Sequence, residues 1–160
     1  MKTRLLLSIL FMANIMVSCD GEKPDVFYHF DEPTFTAQQK QWNEQNLKSY
    51  KFDQHYMSSA TGPVEETITV QNGVAYSSNE DHQSVLIGTI SDIYTRVLND
   101  FNREKDQQDY EIYGITVDVK YNQEYHFPEE INFSTSYVES IDGGMWYDLK
   151  ISNFEILEEE

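Results

Sequence analysis

The side chains of this chain that could do chemistry are few and scattered. His29, His55, His82 and His126 stand far apart and show none of the short spacings that assemble a metal site. Of the four, His55 and His126 are the pair that a sheet could bring together. Serine and threonine are plentiful, but no Gly-x-Ser-x-Gly elbow presents one of them as a nucleophile. Glu65-Glu66 and Glu129-Glu130 point to opposite faces of an extended chain, so neither pair is a ready acid–base couple. Asp142-Gly143-Gly144 lacks the ligand series of a calcium loop, and no Gly-rich phosphate loop is present. This inventory argues against an enzyme and points to no cofactor or metal. One reactive group is left, the thiol of Cys19, the single cysteine of the chain.

Cys19 sits at the end of a distinctive stretch. Lys2 and Arg4 make a basic start, and an apolar run from Leu5 to Val17 follows, broken only by Ser8 and Asn14. The run is too short to span a membrane comfortably and reads as a secretory signal. Met16-Val17-Ser18-Cys19 resembles the bacterial lipobox, in which the cysteine is diacylated and becomes the first mature residue; Met16 stands where Leu is usual. The expectation is a lipoprotein signal peptide over residues 1–18, lipidation at Cys19 and a tether over 19–33. The protein would then be a membrane-anchored lipoprotein of the cell envelope, facing the periplasm or the cell surface. Asp20 leaves the membrane open, since an acid there accompanies inner-membrane retention in some bacteria and surface export in others.

Charge narrows the partners. The 160 residues carry 28 acids against 11 Lys plus Arg, a net of −17. Without Lys2 and Arg4 the 11 become 9, and the net becomes −19. Such a surface repels nucleic acid and anionic lipid headgroups, so attachment to the membrane must come from the lipid on Cys19. Lipidation also consumes the one sulfur that a disulfide would need. Stability must come from packing, for which 11 Tyr, 9 Phe and 2 Trp supply the bulk.

The elements that carry these residues follow from pattern. After a charged stretch, Val26-Phe27-Tyr28-His29-Phe30 is apolar enough to dock on the domain. Thr34 or Thr36 can cap a helix through Ala37 to Leu47, polar apart from Phe35, Trp42 and Leu47, which places it on a surface pinned by Trp42. Ser49 to Tyr56 alternates as a half-buried strand. Val64 to Val70 is a second strand, and Asn72-Gly73 is a hairpin signal leading into Val74-Ala75-Tyr76. Thr89-Ile90-Ser91-Asp92 matches a capping box, and Ile90, Ile93, Tyr94, Val97, Leu98 and Phe101 mark a core helix from about Ile90 to Asn102. Three strands end the chain, around Ile115–Tyr121, Ile131–Thr135 and Trp146–Ile151, with a bulge expected near Asn153. The expected fold class is α+β: an antiparallel β-sheet of meanders with two helices packed on one face, in two layers, as a single domain over 34–160.

Several of these marks together resemble a known family. They are Trp42, Ser49-Tyr50-Lys51-Phe52, Val70-Gln71-Asn72-Gly73, Thr89-Ile90-Ser91-Asp92-Ile93-Tyr94, Val117-Asp118-Val119-Lys120-Tyr121-Asn122, Phe127-Pro128-Glu129-Glu130-Ile131 and Ile151-Ser152-Asn153-Phe154. Over about residues 36–156 the chain is similar to bacterial secreted proteins and lipoproteins built around a domain of unknown function. Phe127 departs from that pattern, which has Tyr before the Pro and a Gly before the Tyr; many members also carry cysteines in the early strands. The resemblance implies no catalytic residue.

The reading that results is a lipid-anchored envelope protein acting as a binding or accessory module for an unknown envelope protein, without catalysis. An inhibitor of a secreted hydrolase is the alternative, and an enzyme a more distant one. Alternation alone groups Lys51, Asp53, His55, Thr67 and Thr69 on the open face of the sheet, which makes them the candidate binding face.

Overall fold

The computed structural model describes residues 25–79, 88–107, 111–139 and 144–158. The expected signal peptide, Cys19, His82, the Val85–Ile87 run and Asp142-Gly143, where a turn is expected, lie outside the described residues. The elements are β1 (Phe27–Phe30), α1 (Glu32–Glu44), β2 (Tyr50–Ser58), β3 (Gly62–Gln71), β4 (Val74–Ser77), α2 (Ile90–Asp106), β5 (Ile112–Tyr121), β6 (Pro128–Tyr137) and β7 (Trp146–Ile156). All strands join one sheet in the order β1-β5-β6-β7-β2-β3-β4. Every pairing is antiparallel except that of β1 with β5. The fold is α+β, and no helix among the described residues is long and apolar enough to cross a membrane.

Strict alternation makes β2 and β3 a pair. Tyr50, Phe52, Gln54 and Tyr56 are buried on the helix side, opposite Val70, Ile68, Glu66 and Val64. Asn72 and Gly73 take φ of 53° and 80°, the left-handed pair that a two-residue hairpin turn needs, and so fix this register. β7 closes on the other side of β2. Its register slips between Lys51 and Asp53, and Asn153 adopts φ 51° there, so the bulge stands where the parity of β7 breaks.

The helix layer is anchored at both ends. Thr89 and Asp92 close a reciprocal capping box on α2. Ile90, Ile93, Tyr94, Val97 and Phe101 are then buried against the sheet, and the helix runs on to Asp106, past the end expected at about Asn102. Leu98, expected inside, is only partly buried at the margin of the core. α1 starts earlier than its threonines suggested. Asp31, not Thr34 or Thr36, caps it by accepting from the Thr34 amide at 3.1 Å. Pro33 fits the first turn, where its missing N–H has no partner to lose. The longer helix sends in Phe35 as well as Trp42, so two aromatic pins hold it.

The stretch Val26–Phe30 does more than dock. Phe27–Phe30 adds an edge strand parallel to β5, placing part of the supposed tether in the sheet. The approach is close enough that a Cβ on Gly114 would lie 2.9 Å from the Phe27 carbonyl oxygen, so only glycine fits there. Phe30 then packs on Phe35 and Phe101, with ring centroids 5.2 and 4.9 Å apart.

Burial ranks the substitutions. Phe101→Ala, at a site 4 % exposed, is expected to cost ~3–5 kcal/mol. Leu98→Ala should cost less than this, and Gln41→Ala on the outer face of α1 under ~0.5 kcal/mol. Urea midpoints check the order, and equal displacement by Phe101→Ala and Gln41→Ala would contradict the assigned core.

Candidate functional site

The sheet brings Lys51, Asp53, His55, Thr67 and Thr69 onto one face, away from the helices, with Lys51 opposite Thr69 and Asp53 opposite Thr67. Each charge there already has a partner. Lys51 pairs with Glu155 at 2.9 Å, and His55 with Glu65 at 3.2 Å. Asp53 accepts from Asn153 at 2.7 Å and from Thr67 at 2.6 Å, bonds that hold its carboxyl below the usual range. Cross-strand register extends this into a row across five strands: Lys120, Glu130, Lys150, His55 and Glu65, alternating in sign up to His55. Lys120 and Glu130 form a direct ion pair. A face so matched within itself is well solvated, and exposed pairs of this kind add ~0–1 kcal/mol each.

The histidines separate. His29 meets Asp118 at 3.0 Å on the open face, and His55 lies on the same face. His126 belongs to the β5–β6 turn and faces Gln38 of α1 at 3.0 Å, so it never approaches His55. Glu65 and Glu66 do diverge, Glu65 outward to His55 and Glu66 inward to Gln54 and Ser77. Among the described residues no three His, Cys, Asp or Glu gather closely enough to hold a metal ion.

A different group of residues converges on the helix side. A cleft of about 520 Å³ lies between α2, the end of β2, the turn after it and the start of β7. Tyr56 and Tyr147 supply aromatic surface, the Ser58–Thr61 turn forms one wall, and Arg96, Asp100 and Arg103 of α2 form the other; Trp146 borders the cleft, but its register partner Ser134 lies on the open face. Arg96 and Arg103 are the only arginines after residue 18. With Asp100 they fall at helical offsets of four and seven, on one face.

Asp100 is 7 % exposed, and Glu104, one turn later, 8 %. Burial raises the Asp100 pKa, while Arg103 at 2.9 Å and the nearby Arg96 charge oppose the rise. The Arg103 guanidinium also reaches Glu104 at 3.5 Å, and its Nη2 donates to the Met145 thioether at 3.0 Å. Tyr137 donates to the other Glu104 oxygen at 2.9 Å. Tyr147 stacks on Phe133 and is 4 % exposed, yet its buried hydroxyl has no hydrogen-bond partner. Burial first, and then the Asp100 charge, push its pKa far up. Asp100 is therefore close, but not at hydrogen-bond geometry with the phenol.

Residues 34–156, from α1 to the end of β7, match a family of unknown function, DUF6174. The chain belongs to this family. No curated protein and no solved structure matches it. In this DUF6174 domain the open face is the part that alternation foresees, and the cleft is the part it misses. A signal was nonetheless present: the core stripe of α2 continues at positions 100 and 104, where the residues are acids.

Two outcomes follow. Tyr147→Phe removes an unpaired buried hydroxyl and keeps the ring, so it should leave the fold intact and stabilise it by ~1–3 kcal/mol in urea. Asp100 has a folded pKa above its unfolded value of ~3.9. The folded state therefore holds more protons between those two values, and stability falls as pH rises through that window. Asp100→Asn should abolish that fall; an unchanged pH profile of the urea midpoint from about pH 3 to 6 would contradict the assignment.

Proposed function

We propose that this DUF6174 protein is a lipid-anchored binding module of the cell envelope that holds a small ligand in the α2 cleft and performs no turnover. The observation that carries the reading is the cleft itself, about 520 Å³ between α2 and the β2–β7 end of the sheet, where Arg96, Asp100 and Arg103 converge beside Tyr56 and Tyr147. The volume suits a small molecule, and aromatic walls with a few polar groups are the usual lining of such sites.

The choice of the cleft over the open face rests on how the charges are partnered. Lys51, Asp53, His55 and Glu65 have oxygen or nitrogen partners on the sheet, whereas in the cleft Arg103 Nη2 meets only the weakly accepting Met145 sulfur. Binding is favoured over catalysis because the described histidine rings face Asp118, Glu65 and Gln38, and none of these is a nucleophile awaiting a base. Membrane attachment is supported by the Lys2–Val17 signal pattern and the Ser18-Cys19 junction. An anchor concentrates a binder near other envelope components, so modest affinity suffices.

Two measurements test this. Tagged fatty acid should label the wild type in cells and leave Cys19→Ser unlabelled; equal labelling removes the anchor. Equilibrium dialysis of the purified full chain against the small-molecule fraction of an envelope extract, read by mass spectrometry, should show compounds retained by wild type. Ala60→Trp, which fills the cleft, should lose them, and equal retention by both removes the site.

A further inference from the structure

We propose that the end of the sheet at which the chain enters β1 rests on the lipid bilayer, as an apolar rim that meets net-neutral, zwitterionic headgroups. The inference rests on the Cys19 anchor of the proposed function and adds which surface of the domain the anchor turns to the membrane. It starts from where the exposed apolar side chains lie. Of nine large ones exposed among the described residues, six lie at one end of the four neighbouring strands β1-β5-β6-β7: Val26, Phe27, Tyr28, Tyr113, Val138 and Trp146. β1 and β5 both start there, with Phe27 opposite Gly114. β6 ends there, with Tyr137 opposite Ile112, and β7 starts there, with Trp146 opposite Ser134. The rim is two-sided. Phe27 stacks on His29 at 6.2 Å between centroids, on the open face that Trp146 shares, whereas Tyr28 turns to the helix side and meets Phe101 edge-on at 6.0 Å.

The chain that leads to this end decides what covers it. Six residues separate Cys19 from Val26, and fully extended they reach at most ~25 Å. An acylated Cys19 therefore keeps the rim close to the leaflet. β5 has ten residues and is roughly 33 Å long, so the same tether is too short to stand the domain on its other end. Side-chain chemistry agrees. Tyr and Trp rings, apolar with one polar tip, settle at headgroup level, and an apolar edge enters the interface by ~5–10 Å. The exposed charges around the rim are Asp25, Asp106, Glu111 and Glu139 against Arg103 and Lys105. That excess of acid repels anionic headgroups, and it equally repels the same rim on a second copy of the chain. The α2 cleft opens at this end too, between the end of β2 and the start of β7, so the rim stands the cleft beside the leaflet.

The test places the purified, acylated full chain on phosphatidylcholine vesicles whose acyl chains carry bromine, which quenches tryptophan on contact. Trp146, 38 % exposed, is the reporter, and Trp42, 4 % exposed, is a shielded background. Bromine near the headgroup should quench wild type about twofold more than bromine at the chain end, as shallow insertion requires. Replacing half of the phosphatidylcholine by phosphatidylglycerol should weaken the quenching. A Phe27→Ser, Tyr113→Ser double variant, changed at sites 58 % and 57 % exposed, should keep its urea midpoint, float with the vesicles through its acyl chains and lose the quenching. Tyr76→Ser, 55 % exposed on β4, should be quenched as wild type. Floating wild type without quenching, or quenching unchanged in the double variant, would overturn the rim and leave the anchor standing. Self-association that the double variant abolishes, with no quenching of wild type, would assign the rim to a second copy instead. A chain that neither takes up acyl groups nor floats would remove anchor and rim together, and leave the cleft to its own dialysis test.

Discussion

Everything in this fold depends on covering one face of a seven-stranded sheet with two helices and no disulfide among the described residues. The solution is aromatic. Trp42 of α1 makes edge contacts with Tyr50 of β2, Phe127 before β6 and Phe154 of β7, at 5.3, 6.2 and 5.9 Å between centroids. Its indole N–H donates to Ser91, which donates on to Asn43, so the same residue ties α1 to the start of α2. The Tyr50 hydroxyl accepts from the Ile90 amide, and the Tyr94 hydroxyl donates to the His126 carbonyl. Each large ring removes ~150–250 Å² from water, and its polar atom finds a partner at the edge of the layer. A thin helix layer thus becomes a stable lid over the middle of the sheet.

That lid changes character along α2. Its first three turns are apolar and sit on β5 and β6, while its last turns carry Asp100 and Glu104 on the same inward stripe. Burying a carboxylate is costly unless it is paired and hydrogen-bonded. Here Arg103 bridges both acids, and Tyr137 satisfies Glu104 from β6. An inward stripe of acids cannot close on aromatic rings as leucines would, and the space left beside it is the cleft. The same feature therefore ends the hydrophobic core and begins the candidate site.

Much of the architecture was legible because it is local. The alternation of Tyr50, Phe52 and Tyr56, the Asn72-Gly73 turn, the Thr89–Asp92 box and the parity break at Asn153 each act within a few residues. β1 was not foreseen as a strand. Five residues without alternation, flanked by acids and Pro33, carry no period, and their parallel pairing with β5 depends on Gly114 nearly ninety residues away. The cleft was hidden for the same physical reason. Ser58 meets Tyr147 only through the β2–β7 register, and Arg103 reaches Met145 only once α2 lies on the sheet. Lys51, Asp53, His55, Thr67 and Thr69 do share the open face as alternation implies, but alternation says nothing about whether such groups pair with one another.

The charge of the molecule completes the argument. A chain of net −17 holds its two arginines after residue 18 within two turns of one helix, beside the one cleft-lining aromatic whose hydroxyl is unmet. Distant acids matter little to what happens there, because charges separated by more than ~8 Å are largely screened at physiological salt. Local groups decide, and they are two guanidiniums, two buried carboxylates and a phenol. Packing alone would be served equally well by phenylalanine at position 147 and by apolar residues at 100 and 104. Polar groups at all three positions are a pattern expected where stability yields to function.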